Sequence, residues 1–156
     1  MKVWQALLDN RVLLSAVIGW TVAQVAKMII HIITNKTFQL ERLVGGGGMP
    51  SSHSATVCAL STAVFIKCGF ASTEFAIAFI FSFIVMYDAM GVRRETGNQA
   101  KVINEMRDFF LEMKNIGNIP PEDRLKELVG HTPLQVLIGA LTGVIIGIAT
   151  MYANLG

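Results

Sequence analysis

Charged residues are scarce in this chain. Of its 156 residues only 15% are Asp, Glu, Lys or Arg, whereas 53% are hydrophobic. Soluble domains carry about a quarter charged residues, so the deficit indicates that lipid rather than water surrounds much of the surface. The formal net charge of +2 is too small to indicate nucleic-acid binding, and no basic stripe interleaved with aromatic residues is present.

Cysteine is scarce as well. Cys58 and Cys68 are the only two, and they have neither the spacing of metal ligands nor the number that a disulfide framework needs. One lies in an apolar run and the other near its end. We therefore interpret both as small packing residues.

Long hydrophobic runs, in contrast, are abundant. Four segments, 12–33, 54–70, 73–92 and 133–153, approach the roughly 20 residues that a helix needs to cross a bilayer. Helix is the only open-chain choice, because lipid cannot satisfy backbone hydrogen bonds. The second segment is short, so we expect it either to tilt little or to lie among the other helices. The sequence predicts an all-α integral membrane protein with four transmembrane helices in one domain, 1–156.

The segment 99–115 predicts an additional amphipathic helix. Its apolar residues recur at helical spacing, and charged residues occupy the other positions. The apolar set is Val102, Ile103, Met106, Phe109, Phe110 and Met113. The pattern equally suits a helix on the membrane surface and one packed against its own protein.

The basic residues predict an orientation. Most of them lie in the links 34–50 and 93–132, and four spans place both links on the same side of the membrane. The positive-inside rule assigns that side to the cytoplasm. We therefore expect a multi-pass protein of the cell membrane with both termini outside.

The glycine-rich stretch 45–55 is the most informative part of the chain. Four successive glycines free the backbone to turn several N–H groups toward one anion. Pro50 suits the first turn of the helix that follows, and a helix N-terminus favours phosphate. Ser51 and Ser52 add hydroxyl donors, and His53 lies in the same first turn. The alternative interpretation is a flexible loop followed by a serine cap.

A second histidine precedes the last span. Thr132 is a natural N-cap and Pro133 suits the first helical position, which places His131 on the same membrane face as His53. Two histidines there can act on one phosphate ester, one attacking phosphorus and the other protonating the leaving oxygen. Alternatively, each is a structural residue beside a helix cap.

Ionisable residues within or beside the spans form a third element. Lys27 lies in the first span and Asp88 in the third, where charge is costly and usually finds a partner inside the bundle. Arg93 and Arg94 follow Asp88 by about one helical turn, and Arg42 precedes the glycines. Guanidinium groups pair well with phosphate. Alternatively, Lys27 extends to the interface and the arginine pair only marks the cytoplasmic flank.

Three stretches carry a family resemblance. Gly-Gly-Met-Pro-Ser-Ser-His-Ser-Ala (47–55), Tyr-Asp-Ala-Met-Gly-Val-Arg-Arg (87–94) and Gly-His-Thr-Pro-Leu (130–134) are similar to the membrane-bound type 2 phosphatidic acid phosphatases. The chain resembles their small divergent branch, related to acid phosphatases and vanadium-dependent haloperoxidases. The resemblance implies a lipid phosphatase that hydrolyses a phosphomonoester of a phospholipid or an isoprenoid. It requires no metal or other cofactor, and the expected cytoplasmic site favours phosphatidylglycerol phosphate.

The resemblance also implies residue roles. His131 would attack phosphorus and form a phosphohistidine, and His53 would be the general acid. Lys27 and Arg42 resemble the first superfamily motif, although they are much farther apart than that motif allows. The expected phosphate-holding residues are Lys27, Arg42, Gly47, Gly48, Ser51, Ser52, Arg93 and Arg94.

The chain departs from the superfamily around its third motif. Gln135 stands where the superfamily has an aspartate that supports the attacking histidine, and Leu125 stands where it has an arginine. We hypothesise that Asp88 replaces the carboxylate and that Arg93 or Arg94 replaces the clamp. Three alternatives stay open: a metal-dependent phosphotransfer enzyme using Asp88 and Glu95, a transporter or anion channel, and an inactive binding protein.

Overall fold

Helices account for all regular secondary structure in the described part of the chain. The computed structural model describes residues 3–36, 47–113, 124–127 and 129–153, and no strand occurs among them. The helices are α1 (Val3–Leu8), α2 (Arg11–Asn35), α3 (Ser52–Cys68), α4 (Thr73–Met90), α5 (Val92–Met113) and α6 (Pro133–Tyr152). The prediction of an all-α protein is therefore confirmed.

Within the described ranges, three helical stretches are long and apolar enough to cross a membrane. They are Arg11–Thr34 in α2, Thr73–Met113 across α4 and α5, and Pro133–Tyr152, which is α6. The second predicted span, 54–70, forms α3, which has only 17 residues. At 1.5 Å per residue α3 is about 26 Å long, less than the roughly 30 Å of a hydrocarbon core. The structure confirms three of the four predicted spans and leaves the fourth unconfirmed.

Small residues place α3 at the centre of the bundle. Ala55, Ala59 and Ala63 are fully buried, and α2, α4 and α6 all pack against this helix. The sequence left open whether this short segment tilts little or lies among the other helices. The structure shows that α3 lies among them. Apolar α3 is therefore buried by protein, whereas α4 presents most of its apolar side chains to the surroundings.

Glycines bring the α6 backbone close to α3. A Cβ atom on Gly147 would lie 2.9 Å from the carbonyl oxygen of Ala59, and one on Gly143 would overlap the carbonyl oxygen of Ala55. Real Cβ atoms do not approach oxygen so closely, so a larger residue would push the helices apart. Because the residue numbers of these pairs rise together, α6 runs parallel to α3.

The other two neighbours of α3 run antiparallel to it. On α2, the Ser15 hydroxyl donates to the carbonyl oxygen of Ala59 at 3.3 Å, and on α4 the Ser82 hydroxyl donates to that of Val57 at 2.9 Å. At the far end of the bundle, Arg11 Nη1 donates to the carbonyl oxygen of Ala153 at 3.2 Å. The starts of α3 and α6 therefore share one end of the bundle with the ends of α2 and α4.

Helix α5 corresponds to the predicted amphipathic helix but begins at Val92, seven residues earlier; residues 114–115 lie outside the described residues. Its buried side carries Gly97, Ala100 and Asn104, and the Asn104 amide bonds to the backbone of Leu125. The six apolar residues of the predicted face are 51% to 68% exposed. That face does not pack on the described part of the protein, which favours the membrane-surface alternative.

The glycine contact predicts a stability effect that can be measured. Gly143→Val should lower the free energy of unfolding by about 1–3 kcal/mol, the usual cost of overfilling a packed interface. Thermal unfolding of the purified protein in detergent would measure it. The matched control is Ala149→Val on the exposed side of α6, which should leave the midpoint unchanged; equal midpoints for both variants would contradict the close α3–α6 contact.

Candidate active site

Two histidines meet where α3 and α6 begin. His53 is the second residue of α3, and His131 lies just before the N-cap of α6. Their ring centroids are 5.8 Å apart and the ring planes meet at 64°. A single phosphate group can touch two rings at this separation. The structure thus brings together the two histidines that the sequence predicts at one end, and their chemical roles stay predictions.

The start of α3 is held by a serine cap. Ser51 Oγ accepts from the Ser54 backbone N–H at 3.3 Å and from the Ser54 hydroxyl at 3.0 Å. The Ser51 backbone N–H donates to the carbonyl oxygen of Gln135 at 3.1 Å, which ties the two helix starts together. Ser51 and Ser52 are both buried. The cap offered as an alternative for this stretch is therefore present, and it positions His53.

Hydrogen bonds orient His131. Its backbone N–H donates to the carbonyl oxygen of Ala89 at 2.9 Å, and its Nδ1 lies 3.3 Å from Gln135 Oε1. The same Oε1 accepts from the Thr132 backbone N–H at 3.1 Å as part of a capping box. Because a backbone N–H requires an acceptor, the amide oxygen faces the ring, so Nδ1 carries the hydrogen and Nε2 the lone pair.

Each ring has a buried nitrogen that lacks a hydrogen bond of ordinary geometry. His131 is only 1% exposed, and its Nε2 forms no such bond within the described ranges, although the Gly48 backbone lies close enough to raise the pKa of the ring. Nδ1 of His53 likewise forms no such bond there. Buried polar atoms are nearly always paired, so two such atoms in adjacent histidines mark a place where a polar ligand can bind.

Burial keeps both histidines neutral at neutral pH. Burial lowers the pKa of His53, and the positive charges of Arg93 and Lys27 lower it further, while Asp88 opposes them. Burial also lowers the pKa of His131, and the charges of Lys27 and His53 lower it further. The Gln135 side chain and the Gly48 backbone raise it. Neutral imidazole is the form that can act as a nucleophile or a base.

The lysine of α2 lies beside the glycine turn. Lys27 is 4% exposed, and its charge reaches both histidines. A Cβ atom on Gly48 would lie 3.2 Å from Lys27 Cγ, and Gly48 has a φ of +98°, so the position suits glycine for two reasons. Lys27, Gly47 and Gly48 line one cavity of about 190 Å³. Three of the predicted phosphate-holding residues are therefore adjacent.

The acidic residue occupies a different place from the one hypothesised. Asp88 Oδ2 accepts from Arg93 Nε at 2.6 Å, and both side chains are partly exposed. Asp88 is therefore bonded to Arg93, one turn along the chain, and no hydrogen bond joins it to His131 among the described residues. Gln135 is the residue that contacts the His131 ring, and the Asp88 charge acts on His53 instead.

One other predicted site residue lies apart from the cavity that Lys27 and Gly48 line. Arg94 is exposed and lines a separate groove with Glu95 and Asn98, while its backbone lies against Gly130, where φ is +86°. Arg42 lies outside the described residues.

Each residue of the alternative magnesium pair has another partner: Asp88 contacts Arg93, and Glu95 accepts from Asn98. No group of three or more His, Cys, Asp or Glu that could hold a metal occurs in the described ranges.

Sequence reasoning missed the backbone supports of the site. The carbonyl oxygen of Ala89 and the tight turn at Gly130 hold His131 in place. The glycine directly before the histidine was an available signal for that turn. No local sequence pattern predicted the contribution of Ala89, because Ala89 lies on another helix and acts through its backbone carbonyl group.

Comparison with known proteins agrees with this architecture. Residues 8–146 match the family model described as the divergent PAP2 family. The uncharacterized membrane protein YuiD of Bacillus subtilis (strain 168) is 41% identical over 153 residues, which cover 94% of this chain and 97% of that protein. No solved structure matches. Together with three apolar helices long enough to cross a bilayer, these matches support a multi-pass membrane protein, and the chain belongs to the divergent PAP2 family.

Proposed function

We propose that this protein is a membrane phosphatase that hydrolyses a phosphomonoester of a lipid, either a phospholipid or an isoprenoid, through a phosphohistidine. The pairing of two histidine rings at 5.8 Å, each with a buried nitrogen that lacks a hydrogen bond of ordinary geometry, carries the proposal. Membership of the divergent PAP2 family supports a phosphatase-related function. The predicted residues Lys27, Gly47 and Gly48 lie beside the pair.

In the first step His131 acts as the nucleophile. The Nε2 lone pair forms a bond to phosphorus as the bond from phosphorus to the lipid oxygen breaks. His53 gives a proton to the departing oxygen, which leaves as an alcohol. The pKa of His53 is lowered in the free protein, and the negative charge of a bound phosphate raises it again, so that the ring can carry this proton.

In the second step water releases the phosphate. His53, now neutral, takes a proton from the attacking water, whose oxygen forms a bond to phosphorus as the bond to Nε2 breaks. Inorganic phosphate leaves and both histidines return to their starting forms. Gln135 keeps the hydrogen on Nδ1 through both steps, so that Nε2 faces phosphorus.

Positive groups around the rings hold the phosphate oxygens. Lys27 and Arg93 lie near enough to His53 to lower its pKa, and the first turn of α3 adds backbone N–H donors. Such donors stabilise the charge that accumulates on phosphate oxygens in the transition state. We include Arg42 in this group from its place in the sequence, together with the hydroxyl groups of Ser51 and Ser52; Arg94 is left out because it lines a separate groove.

The site faces the cytoplasm in this proposal. The links that approach the histidines carry most of the basic residues, and the positive-inside rule assigns them to that side. A substrate made in the inner leaflet follows, and phosphatidylglycerol phosphate is our candidate.

Removing either histidine should stop lipid phosphate hydrolysis for different reasons. His131→Ala should reduce phosphate release to background on every ester. In kcat/KM, which reports the first step, His53→Ala should cost about 100- to 10,000-fold on lipid esters but far less on p-nitrophenyl phosphate, whose leaving group needs no proton. Its kcat should fall on both, because His53 also activates the water of the second step. Phosphate release by purified protein in detergent measures this, with circular dichroism as the check on folding. Undiminished turnover in both variants would refute the scheme.

The glutamine beside His131 predicts a pH effect. Attack requires unprotonated Nε2, so activity fails below the pKa of His131. In Gln135→Glu a carboxylate stabilises the protonated ring, so the acidic limb of the kcat/KM profile should move about 1–3 units to higher pH. Glutamate keeps the capping box, so stability should be unchanged. The other charged groups near the ring, Lys27, His53 and the Asp88–Arg93 pair, are the same in both proteins.

Two further variants separate positioning from capping. Gln135→Leu removes the acceptor for Nδ1 and should lower kcat by about 10- to 100-fold, as loss of such histidine supports usually does. Thr132→Ala removes the N-cap and should cost about 1 kcal/mol of stability without moving the acidic limb. An acidic limb that stays in place in Gln135→Glu would show that the titrating group is not His131.

Membrane orientation can be read from the native cysteines. Cys68 is exposed at the end of α3 opposite the histidines, and Cys58 is buried. An impermeant maleimide applied to intact cells should label Cys68 in the unaltered protein. It should not label Lys126→Cys in a Cys68→Ser background until the membrane is permeabilised. The reverse pattern would place the site outside.

A further inference from the structure

Two apolar cavities lie next to each other between α4 and α6. The one closer to the histidines has a volume of about 330 Å³ and is lined by Met90, Pro133 and Ala140, among others. The farther one has a volume of about 250 Å³ and is lined largely by aromatic residues. Phe83 and Met86 line both cavities, so the two are adjacent, and together they are called here the α4–α6 furrow.

One end of the furrow lies near the histidine site, although neither histidine lines it. Pro133, at its near end, is two residues after His131, and Met90 follows Ala89, whose carbonyl oxygen holds the His131 backbone. Val136, one helical turn into α6, is 5% exposed and lies in the floor. A molecule with phosphate at His131 therefore has this furrow directly beside it.

The length of the furrow suits a lipid chain. It extends along α4 from Met90 to Phe75, about 22 Å at the rise of a helix. Half of a hydrocarbon core is about 15 Å, so a complete chain of one leaflet fits along it. The opening exists because α4 packs mainly on α3 and touches α6 little.

The chemistry of the furrow excludes a polar occupant. Cys58 and Ser82 in the floor are buried, and the Ser82 hydroxyl already donates to the backbone of α3 and of its own helix. The rest of the lining is mostly aromatic and aliphatic, and its other polar side chains are Ser61, Thr62 and Tyr87. A polar group placed there would lose its water without gaining a partner. Hydrocarbon is the occupant that such a surface accepts.

We propose that the α4–α6 furrow binds the hydrocarbon chain of the substrate whose phosphate lies between His53 and His131. This inference rests on the proposed function and narrows it, because it makes the enzyme selective for long-chain esters over short ones. Carbons of the substrate chain near phosphorus contact the end of the furrow at Pro133, and carbons far from phosphorus contact its other end at Phe75. Different residues therefore recognise the two parts of the chain.

The first test compares alkyl phosphates of two lengths. In nanodiscs, kcat/KM for hexadecyl phosphate should exceed that for butyl phosphate by at least about 100-fold, since each buried methylene contributes a factor of about four. Ala140 lies seven residues into α6, about 10 Å beyond Pro133, where a butyl chain does not reach. Ala140→Phe should lower the hexadecyl-to-butyl ratio by at least about tenfold.

A matched variant removes the effect of membrane partitioning. Ala149→Phe makes the same change on the exposed side of α6 and should leave the ratio as in the unaltered protein. An unchanged ratio in Ala140→Phe overturns the furrow proposal. Hydrolysis of neither ester by the unaltered protein overturns the proposed function instead.

A second measurement tests the furrow without turnover. Hexadecyl phosphate with a diazirine at its last carbon should label the far cavity, around Phe65 and Phe75, after irradiation. Excess unlabelled hexadecyl phosphate, or Ala140→Phe, should suppress that label. Labelling spread evenly to outward-facing residues of α2 such as Trp20 and Val25, which are about half exposed, would show bulk lipid contact only and would overturn the proposal.

Discussion

The close approach of α6 to α3 is the constraint on which the site depends. Without side chains at Gly139 and Gly143, the α6 backbone lies against the carbonyl groups of α3. The two helix starts then come near enough for the Ser51 N–H to donate to the Gln135 carbonyl oxygen. That bond fixes how far α6 is shifted along its axis relative to α3. The shift in turn places the ring of His131 beside the ring of His53. The histidine pair follows from backbone packing more than from any contact between the imidazoles.

A neutral partner at His131 fits the other charges nearby. Lys27 is buried close to both rings and disfavours a second positive charge. An amide oxygen fixes the tautomer without stabilising the imidazolium as a carboxylate would, so the ring stays neutral and nucleophilic at neutral pH. The negative charge lies instead on Asp88, where Arg93 balances it at the surface. Different residues therefore orient the proposed nucleophile, His131, and balance the nearby charge: Gln135 does the first, and the Asp88–Arg93 pair the second.

Features that depend on neighbouring residues in sequence were predictable, and features that depend on packing between helices were not. Apolar length predicted four spans, of which three are confirmed, and the Thr132 cap predicted where α6 begins. The central position of α3 depends on which helices surround it, so the sequence left two alternatives open. The Asp88–Arg93 contact depends on how the chain turns at Gly91. The sequence pattern could not show which of the adjacent residues Arg93 and Arg94 would contact Asp88.

The shortness of α3 explains why a site at its start lies inside the bundle. Lys27 lies level with Gly48 near that start, yet α2 continues to Asn35, about 12 Å farther at the rise of a helix. The histidines are therefore recessed below the end of α2, with the apolar furrow leading away from them. In the proposed reaction this position keeps bulk water away from the phosphate and leaves a path along the α4–α6 furrow for the hydrocarbon chain.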